Sequence, residues 1–346
     1  MASWTRVRTI GLLALVAAFG TGGGTRNVLG QPNPAGDAVR VLQVQPNIYM
    51  LTGAGGNIAI QVGPDGVVLV DAGSRERADA VLAAIKKVTD QPIRYIINTS
   101  ADPERVGGNE TIAKAGRSLF ERSNLGPGGA AGTNTAIDNA GGASIIAAEP
   151  VLARMSAPTG RQSPYAAVAW PTETFTRKRK NLYLNNEAIE VIYQPAAHTD
   201  GDSVVLFRRS DVVATGGVFD TTRFPVIDVD KGGTIQGEID ALNRLIDLVI
   251  PSIPLPWKDG GTRVVPGRGR ISEQAELVEY RDMVTIVRDR IQDMAKSGMT
   301  LDQVKAASPT KGWTGRYGAD SGPWTTNMFV EAIYKSLTST PGSAHK

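Results

Sequence analysis

The chain has 346 residues, of which 41% are hydrophobic and 21% are charged, so it is long enough to bury a large core. It contains no cysteine, which excludes disulfides, thiolate metal sites and a cysteine nucleophile. Residues 1–31 hold Arg6, Arg8 and Arg26 and no acid; subtracting these three from the 37 basic residues leaves 34, against 34 acidic ones. The net charge therefore predicts neither nucleic acid nor an anionic membrane as a partner.

The N-terminal segment has the pattern of a secretory signal peptide. Arg6 and Arg8 precede an apolar run from Ile10 to Phe19, and Gly-rich and polar sequence follows up to Gln31. The alternative is a membrane anchor, but the apolar run is too short to span a bilayer. We therefore expect residues 1–31 to be a leader, and the protein to be secreted or periplasmic without a stable membrane anchor.

Strand and helix signals alternate through the first half of the chain. Gly63-Pro64-Asp65-Gly66 is a turn signal between two apolar runs, and Ser74 can cap the helix that follows. The predicted elements are strands at Val39–Val44, Ile48–Thr52, Asn57–Val62 and Val67–Asp71, a helix over Arg75–Val88, a strand from Ile93, a helix near Glu110–Gly116, a mobile loop over Gly126–Gly142, a strand at Ser144–Ala147, a helix at Glu149–Met155 and an irregular segment from Ser156 to Asn181.

The second half repeats the order of strands followed by helices. The run Arg177–Lys180 is interpreted as the solvated edge of a strand rather than as a site for an anionic partner. The predicted elements are hairpins formed by Leu182–Leu184 with Ala188–Tyr193 and by Ser203–Phe207 with Val212–Thr215, a helix from Thr234 to Val249, a strand at Thr262–Pro266, a helix from Ser272 to Lys296, a helix capped by Thr300, and a tail whose aromatic side chains pack onto the same domain.

This order of elements predicts an α/β fold with a mixed sheet covered by helices, and it suits a four-layer αβ/βα sandwich. No Pro-, Gly- or Ser-rich linker separates two independent domains. We therefore predict a single domain over residues 39–338 that ends in a C-terminal helical extension.

One loop carries the pattern of a known family. The sequence Thr99–Asn109 resembles the loop T-H-x-H-x-D-H-x-G-G-N of the metallo-beta-lactamase superfamily, in which the histidines and the aspartate bind metal. The residues at the two ends of the motif are kept and the metal ligands are not. Ser100, Asp102 and Arg105 occupy the positions of the three histidines, and Glu104 occupies the position of the aspartate. The resemblance implies a metallo-beta-lactamase-like sandwich in which these residues line the site.

Four further segments follow in the order of that family and extend the resemblance over Val39 to Leu337. Leu69–Gly73, with Asp71, resembles a strand-end vDtG motif, and Ala197–Ser203 resembles H-T-x-G-D with the family histidine retained as His198. In Thr215–Phe219, Gly217 stands at a bridging aspartate. In Val265–Gly269, Arg268 stands at the last histidine.

The family's activity implies zinc held by three histidines, which lowers the pKa of a bound water. This chain has two histidines, His198 and the tail residue His345, so a tris-histidine site is impossible by counting. We therefore predict no zinc cofactor, and the resemblance implies the fold without implying the activity. The catalytic candidates that remain are Ser100, Asp102, Glu104 and His198, and the pocket candidates are Asp71, Arg105, Gly217 and Arg268.

Each candidate also has a structural interpretation. His198 is expected to bond to Asp200 or Asp202, Asp71 to fix a turn, and Asp102 with Glu104 to pair with arginine rather than act as an acid and base. Ser100 acting as a nucleophile with His198 as its base is the less favoured option. We expect Arg105 and Arg268 to pair with Asp102 and Glu104, and the alternative is that one arginine binds an anionic ligand.

Three functional hypotheses follow. The first is a pseudohydrolase that keeps the pocket and binds a small molecule or a partner. The second is an active hydrolase that uses no metal or one hard cation, such as manganese, magnesium or calcium, on Asp102, Glu104 and His198. The third is a partner-binding protein whose interface is the Trp170 loop and the tail aromatics.

Overall fold

Two β-sheets packed face to face form the centre of the fold. The computed structural model describes residues 38–119, 142–158, 162–252, 254–255 and 258–338. These residues all belong to one compact unit, Asp37–Lys346. Within them the strands are β1 (Arg40–Gln45), β2 (Ile48–Ala54), β3 (Gly56–Gly63), β4 (Gly66–Val70), β5 (Ile93–Ile97), β6 (Ser144–Ala148), β7 (Glu173–Phe175), β8 (Arg179–Leu184), β9 (Glu187–Gln194), β10 (Asp202–Phe207), β11 (Val212–Ala214), β12 (Pro254–Leu255), β13 (Lys258–Asp259) and β14 (Arg263–Val265).

The strands form two large mixed sheets and one short pair. In the described part of the chain, the first sheet has seven strands in the order β1 to β7, antiparallel up to β4 and parallel from β4 to β7. The second has five strands in the order β14-β11-β10-β9-β8, with only the β11–β14 pair parallel. The strands β12 and β13 pair with each other.

Helices pack on the outer face of each sheet and leave part of the second sheet open near β8. In the described residues they are α1 (Ala78–Lys86), α2 (Pro103–Val106), α3 (Asn109–Ala115), α4 (Glu149–Ser156), α5 (Ile235–Leu248), α6 (Gln274–Lys296), α7 (Leu301–Ala306), α8 (Thr314–Tyr317) and α9 (Thr326–Thr338). None of these helices has both the length and the apolar character that a bilayer span requires.

Three apolar layers hold the sandwich together. Val70, Ile97 and Val205 belong to the layer between the two sheets. A second layer packs α1 and α3 onto the first sheet, and a third packs α5, α6 and α9 onto the second sheet. The predicted α/β sandwich of two mixed sheets between helices is therefore confirmed.

Most predicted elements occur where local signals placed them. The hairpins β3–β4, β8–β9 and β10–β11 form as expected. Thr234 accepts a hydrogen bond from the Gly237 N–H at the start of α5, and Thr300 forms a capping box with Gln303. The tail aromatics pack onto the same unit, since the Phe329 ring stacks on Phe224 at 4.7 Å between centroids.

Two predictions about elements need correction, and others fall outside the described residues. The segment Ser156–Asn181 is not wholly irregular, because β7 and the start of β8 lie within it. The helix expected over Arg75–Val88 begins as a 3-10 turn at Arg75–Arg77, and Ser74 makes no side-chain capping bond to it. The leader at residues 1–31, His345 and nearly all of the loop Gly126–Gly142 lie outside the described residues.

Backbone hydrogen bonds tie several strand ends together at one edge of the sandwich. The Ser203 N–H donates to the Thr99 carbonyl at 2.9 Å, which joins β10 to the loop after β5. The Asn57 N–H donates to the Gly267 carbonyl at 2.9 Å, which joins β3 to the loop after β14. The family-like motifs therefore meet at this edge although they lie far apart in sequence.

Candidate functional site

Asp71 fixes the loop that follows β5. Its backbone is left-handed, with φ 68°, and its carboxylate accepts hydrogen bonds from the Thr99 N–H at 2.8 Å and the Thr99 hydroxyl. Burial raises the pKa of Asp71 to about 6, against the opposing charge of Arg105, so the group is ionised at neutral pH. The expected turn role is present, and the structure adds an ion pair to it.

Arg105 is buried beneath the site. Its Nη1 lies 3.2 Å from Asp71 Oδ2, and both side chains are 2% exposed. Burial opposes the charge of the guanidinium, but Asp71 and nearby carboxylates raise the pKa of Arg105 above its ordinary value. A Cβ atom on Gly56 would lie 2.9 Å from Arg105 Nη1, and one on Gly267 would lie 2.4 Å from Nη2. The predicted pairing of Arg105 with Asp102 or Glu104 is therefore wrong, because the two glycines leave room for it beside Asp71.

Ser100, Asp102 and His198 form a second cluster, centred on the carboxylate. Asp102 Oδ2 accepts a hydrogen bond from the Ser100 hydroxyl at 2.7 Å and lies 2.8 Å from His198 Nε2. Burial would raise the pKa of Asp102, but the charge and hydrogen bond of His198 and the Ser100 bond hold it well below its usual range. The carboxylate therefore stands between the serine and the imidazole.

Both ring nitrogens of His198 are engaged. Nδ1 lies 3.0 Å from the Val226 carbonyl oxygen, which can only accept, and Nε2 faces the ionised Asp102. Burial would lower the pKa of His198, but the charge and the hydrogen bond of Asp102 raise it to about 9. The ring is therefore an imidazolium at neutral pH that donates from both nitrogens.

The predicted partners of His198 are wrong, because the neighbouring acids bond elsewhere. Asp200 Oδ1 lies 2.5 Å from Arg154 Nη1. Asp202 accepts a hydrogen bond from the Thr199 N–H at 2.5 Å, which closes the turn after His198. The turn therefore leaves the imidazole free to reach Asp102 on the other sheet.

Glu104 is the centre of a third cluster. It pairs with Arg268 Nη2, which confirms one of the two predicted arginine pairs. Arg223 Nη2 lies 3.6 Å from the other Glu104 oxygen, and Arg223 Nε lies 2.8 Å from Asp220. Gly217 packs against the His198 ring, since a Cβ atom there would lie 2.9 Å from His198 Cδ2. The carboxylates of Glu104 and Asp220 are therefore balanced by the guanidinium groups of Arg268 and Arg223.

Two buried acids lie behind His198, between the second sheet and α5. Burial raises the pKa of Asp202 to about 7 and that of Glu238 well above its ordinary value, and the charge of Asp202 adds to the rise at Glu238. Both oxygens of Glu238 and one of Asp202 have no hydrogen-bond partner among the described residues. These acids are therefore kept partly or wholly protonated by the fold.

A cavity of about 730 Å³ opens above these clusters. Of the predicted residues, Asp102, Glu104 and His198 line it, whereas Asp71, Arg105, Ser100, Gly217 and Arg268 do not. Asp71, Arg105 and Ser100 lie beneath it, each 2% exposed or less. The lining residues that the sequence did not predict include Tyr165, Arg223, Lys231 and Trp324.

The third hypothesis is an interface made by the Trp170 loop and the tail aromatics. Several of these side chains make contacts within the protein itself. The Trp170 ring is half-buried, and its Nε1–H donates to the Tyr165 carbonyl at 2.9 Å. Tyr317 and Phe329 are buried in the helical layer of the second sheet. Of the tail aromatics, Trp324 lines the cavity.

Comparison with known proteins agrees with the loop pattern and the fold. The family model of the metallo-beta-lactamase superfamily matches residues 51–117, which run from β2 through the loop after β5 to the end of α3. Over these residues the chain is similar to that superfamily. No curated protein sequence matches the chain.

Solved structures share the metallo-beta-lactamase fold at low sequence identity. The stereoselective inverting sec-alkylsulfatase Pisa1 from Pseudomonas sp. matches 87% of this chain at 15% identity with a TM-score of 0.58. This chain spans only 50% of that protein. A metallo-beta-lactamase from Pontibacter korlensis matches 71% of this chain and 99% of its own at 16% identity, with a TM-score of 0.50. At these identities the matches show the fold alone.

The zinc centre of the metallo-beta-lactamase superfamily does not fit the residues of this chain. Among the described residues, no group of three or more His, Asp or Glu side chains has an arrangement that could hold a metal ion. The three residues considered for a hard cation are bonded elsewhere, Asp102 to His198 and Glu104 to Arg268. The positively charged side chains His198 and Arg268 therefore pair with the carboxylates that a metal ion would need as ligands.

Proposed function

We propose that this metallo-beta-lactamase-fold protein is a non-catalytic pseudohydrolase that binds a small organic molecule in its strand-end cavity. The cavity volume, about 730 Å³, lies in the range of small-molecule sites. Its walls carry Tyr165, Trp324 and prolines, and its charged floor is paired internally. Such a site offers apolar contact area without a group poised for chemistry.

The observation that carries the proposal is the state of His198. A nitrogen that carries a proton has no lone pair for a metal ion and cannot accept a proton from a nucleophile. Both nitrogens of His198 are in that state at neutral pH, because one faces the Val226 carbonyl and the other faces Asp102. The retained family histidine therefore acts as a structural cation.

Ser100 is not placed as a nucleophile. A serine nucleophile needs a direct hydrogen bond to its base and an exposed oxygen. Ser100 is fully buried, and its hydroxyl donates to Asp102, which lies between it and His198. The arrangement supports a structural role for the serine.

Metal analysis combined with activity assays tests the proposal. The protein is purified without chelators, analysed for metals, and assayed on a beta-lactam, a thioester and a secondary alkyl sulfate. We expect no stoichiometric zinc and no hydrolysis above background, because the three-histidine ligand set is missing. Zinc at one ion per chain, lost together with an activity on chelation, would overturn the proposal. Turnover with another cation or with no metal would instead establish the alternative, an active hydrolase of the superfamily.

Ligand binding is tested separately with a library of small organic molecules, using thermal shift and then calorimetry. Compounds that bind the wild type should bind Tyr165→Ala at least about tenfold more weakly, because a cavity wall is lost. Tyr183→Ala is the matched control, since Tyr183 is 77% exposed and does not line the cavity. Equal affinity of all three proteins for every compound found would locate binding outside the cavity and defeat the proposed site.

A further inference from the structure

The outer face of the second sheet is uncovered near its edge strand, β8. Tyr183 on β8 pairs with Ala188 on β9, and the Arg208 N–H donates to the Ala188 carbonyl at 3.1 Å. Tyr183, Ala188 and Arg208 therefore form one row across the sheet. Tyr183 is 77% exposed and the Arg208 side chain is 63% exposed, so no helix covers this row.

A buried carboxylate holds two arginines on this face. Glu190 accepts hydrogen bonds from Arg179 Nη1 at 2.8 Å and from Arg208 Nη1 at 3.1 Å, and its own side chain is 8% exposed. The two arginine side chains remain more than half exposed. Glu190 thus orients two cations toward solvent while compensating only one of their charges.

Further cations adjoin these two. Arg177 and Lys178 precede β8, are exposed, and have no side-chain hydrogen bond or ion pair with any residue that the structure describes. We call these residues the basic face: Arg177, Lys178, Arg179, Tyr183, Glu190 and Arg208. The basic face holds four cations against one carboxylate.

We propose that the basic face docks the protein reversibly on an anionic lipid surface. Arg179 and Arg208 are held on the open face of the sheet by Glu190, and the exposed Arg177 and Lys178 come directly before Arg179 in the chain, so four cations are available to one flat partner. Juxtaposed basic residues are attracted to anionic headgroups, and a protruding tyrosine ring is amphipathic and sits well at the headgroup level. Proteins that bind single-stranded nucleic acid typically have a basic groove lined with several aromatic rings on which the bases stack. The basic face has one tyrosine, so it fits a lipid surface better.

Vesicle sedimentation tests the proposal with the full chain. The protein is mixed with vesicles of phosphatidylcholine alone or of phosphatidylcholine with phosphatidylglycerol. We expect it to sediment only with the anionic vesicles, and less as salt is raised, because screening weakens exposed charges. The double variant Arg177→Gln, Lys178→Gln should lower the partition coefficient by at least about tenfold.

The matched control neutralises two cations elsewhere. Lys86 and Lys114 are 71% and 59% exposed on α1 and α3, which cover the other sheet. The variant Lys86→Gln, Lys114→Gln has the same net charge as the test variant and should sediment like the wild type. Tyr183→Ser should weaken binding several-fold and leave its salt dependence unchanged, because it removes a contact that carries no charge.

Several results would overturn the proposal. These are absence of sedimentation with anionic vesicles, equal sedimentation with both vesicle types, and an equal loss of binding in the test and control variants. Single-stranded DNA that binds the basic face more tightly than the vesicles do would also overturn it and would identify the partner as nucleic acid. Each result is independent of whether the cavity binds a ligand.

Discussion

At the scale of single residues, the His198–Asp102 pair couples one proton to the stability of the fold. The pKa of His198 is raised from 6.5 to about 9, so its contribution is fully present below about pH 6.5 and is lost as pH rises through 9. The pKa of Asp102 is lowered, so its contribution is present above its ordinary pKa and is lost on acidification. The pair therefore stabilises the protein most between these limits.

We predict that replacing His198 removes much of the alkaline loss of stability. Between pH 7 and 10 the wild type should lose on the order of 2 kcal/mol from this group, and His198→Gln should not show that component. Urea unfolding at a series of pH values measures it. Asp102→Asn should bring the His198 pKa back toward 6.5, as followed by NMR. If His198 titrates near 6.5 in the wild type, the ion pair is not formed in solution.

Arg105 provides a second prediction at this scale. Replacing it with methionine keeps much of the packing but leaves the Asp71 carboxylate buried without its cation. Breaking one side of a buried pair costs about 3 kcal/mol or more, so Arg105→Met should be strongly destabilised in urea unfolding. Adding Asp71→Asn should recover part of the loss, because the uncompensated charge is then gone. Arg268→Met is the control and should lose about 1 kcal/mol or less, since its pair with Glu104 is partly exposed.

At the scale of elements, helix α5 carries Glu238, a buried carboxyl that is protonated in the native protein. Both Glu238 oxygens are buried without a hydrogen-bond partner among the described residues, and burial raises its pKa well above the ordinary value. The native state therefore binds a proton that the unfolded chain has released, so stability falls as pH rises from about 4.5 up to the raised pKa. Glu238→Gln removes this titration.

We predict that Glu238→Gln is more stable than the wild type at pH 8 and that the difference shrinks toward pH 5. Urea unfolding at both values measures this. Glu279→Gln is a control of the same chemistry at an exposed position, with a side chain 63% exposed, and should change stability little at either pH. An advantage of Glu238→Gln that does not vary with pH would mean that the carboxyl is already ionised in the native protein.

Elements with local signals could be predicted from the sequence, and elements defined by distant partners could not. The β3–β4 hairpin follows from its Gly-Pro-Asp-Gly turn, and α5 follows from its Thr234 cap. By contrast, β7 is three residues long and pairs in parallel with β6, so it shows no alternating pattern of its own. A short strand that pairs with a strand distant in sequence has too few residues to show a hydrophobic period, so it is hard to predict from sequence.

The same distinction applies within the candidate site. The family-like motifs predicted which loops meet, and they correctly placed Asp102, Glu104 and His198 at the cavity. They did not predict the partners, because Arg105 pairs with Asp71 across 34 residues of sequence and His198 reaches Asp102 on the other sheet. Tyr165 and Trp324 come from a loop and the C-terminal tail, where no motif marks a lining residue.

At the scale of the whole molecule, the charges at the strand-end edge are balanced without metal. Asp71, Asp102, Glu104 and Asp220 are paired with Arg105, His198, Arg268 and Arg223. A superfamily member with zinc would offset its aspartates with the metal and hold the metal with neutral imidazoles. Here both sheets contribute side-chain cations to the same electrostatic balance. Restoring zinc should therefore require all the substituted ligand positions to change together.

The last prediction is that a sixfold variant binds zinc and a single variant does not. Ser100→His, Asp102→His, Glu104→Asp, Arg105→His, Gly217→Asp and Arg268→His together restore the family pattern, remove both arginines and free His198 from its carboxylate partner. Elemental analysis should then find about one zinc or more per chain. Arg268→His alone should bind none, because at most two histidines would meet and Arg105 would remain beside Asp71. Circular dichroism must show that the sixfold variant is folded. If it is folded and binds no zinc, the alignment of these loops with the family motifs is wrong.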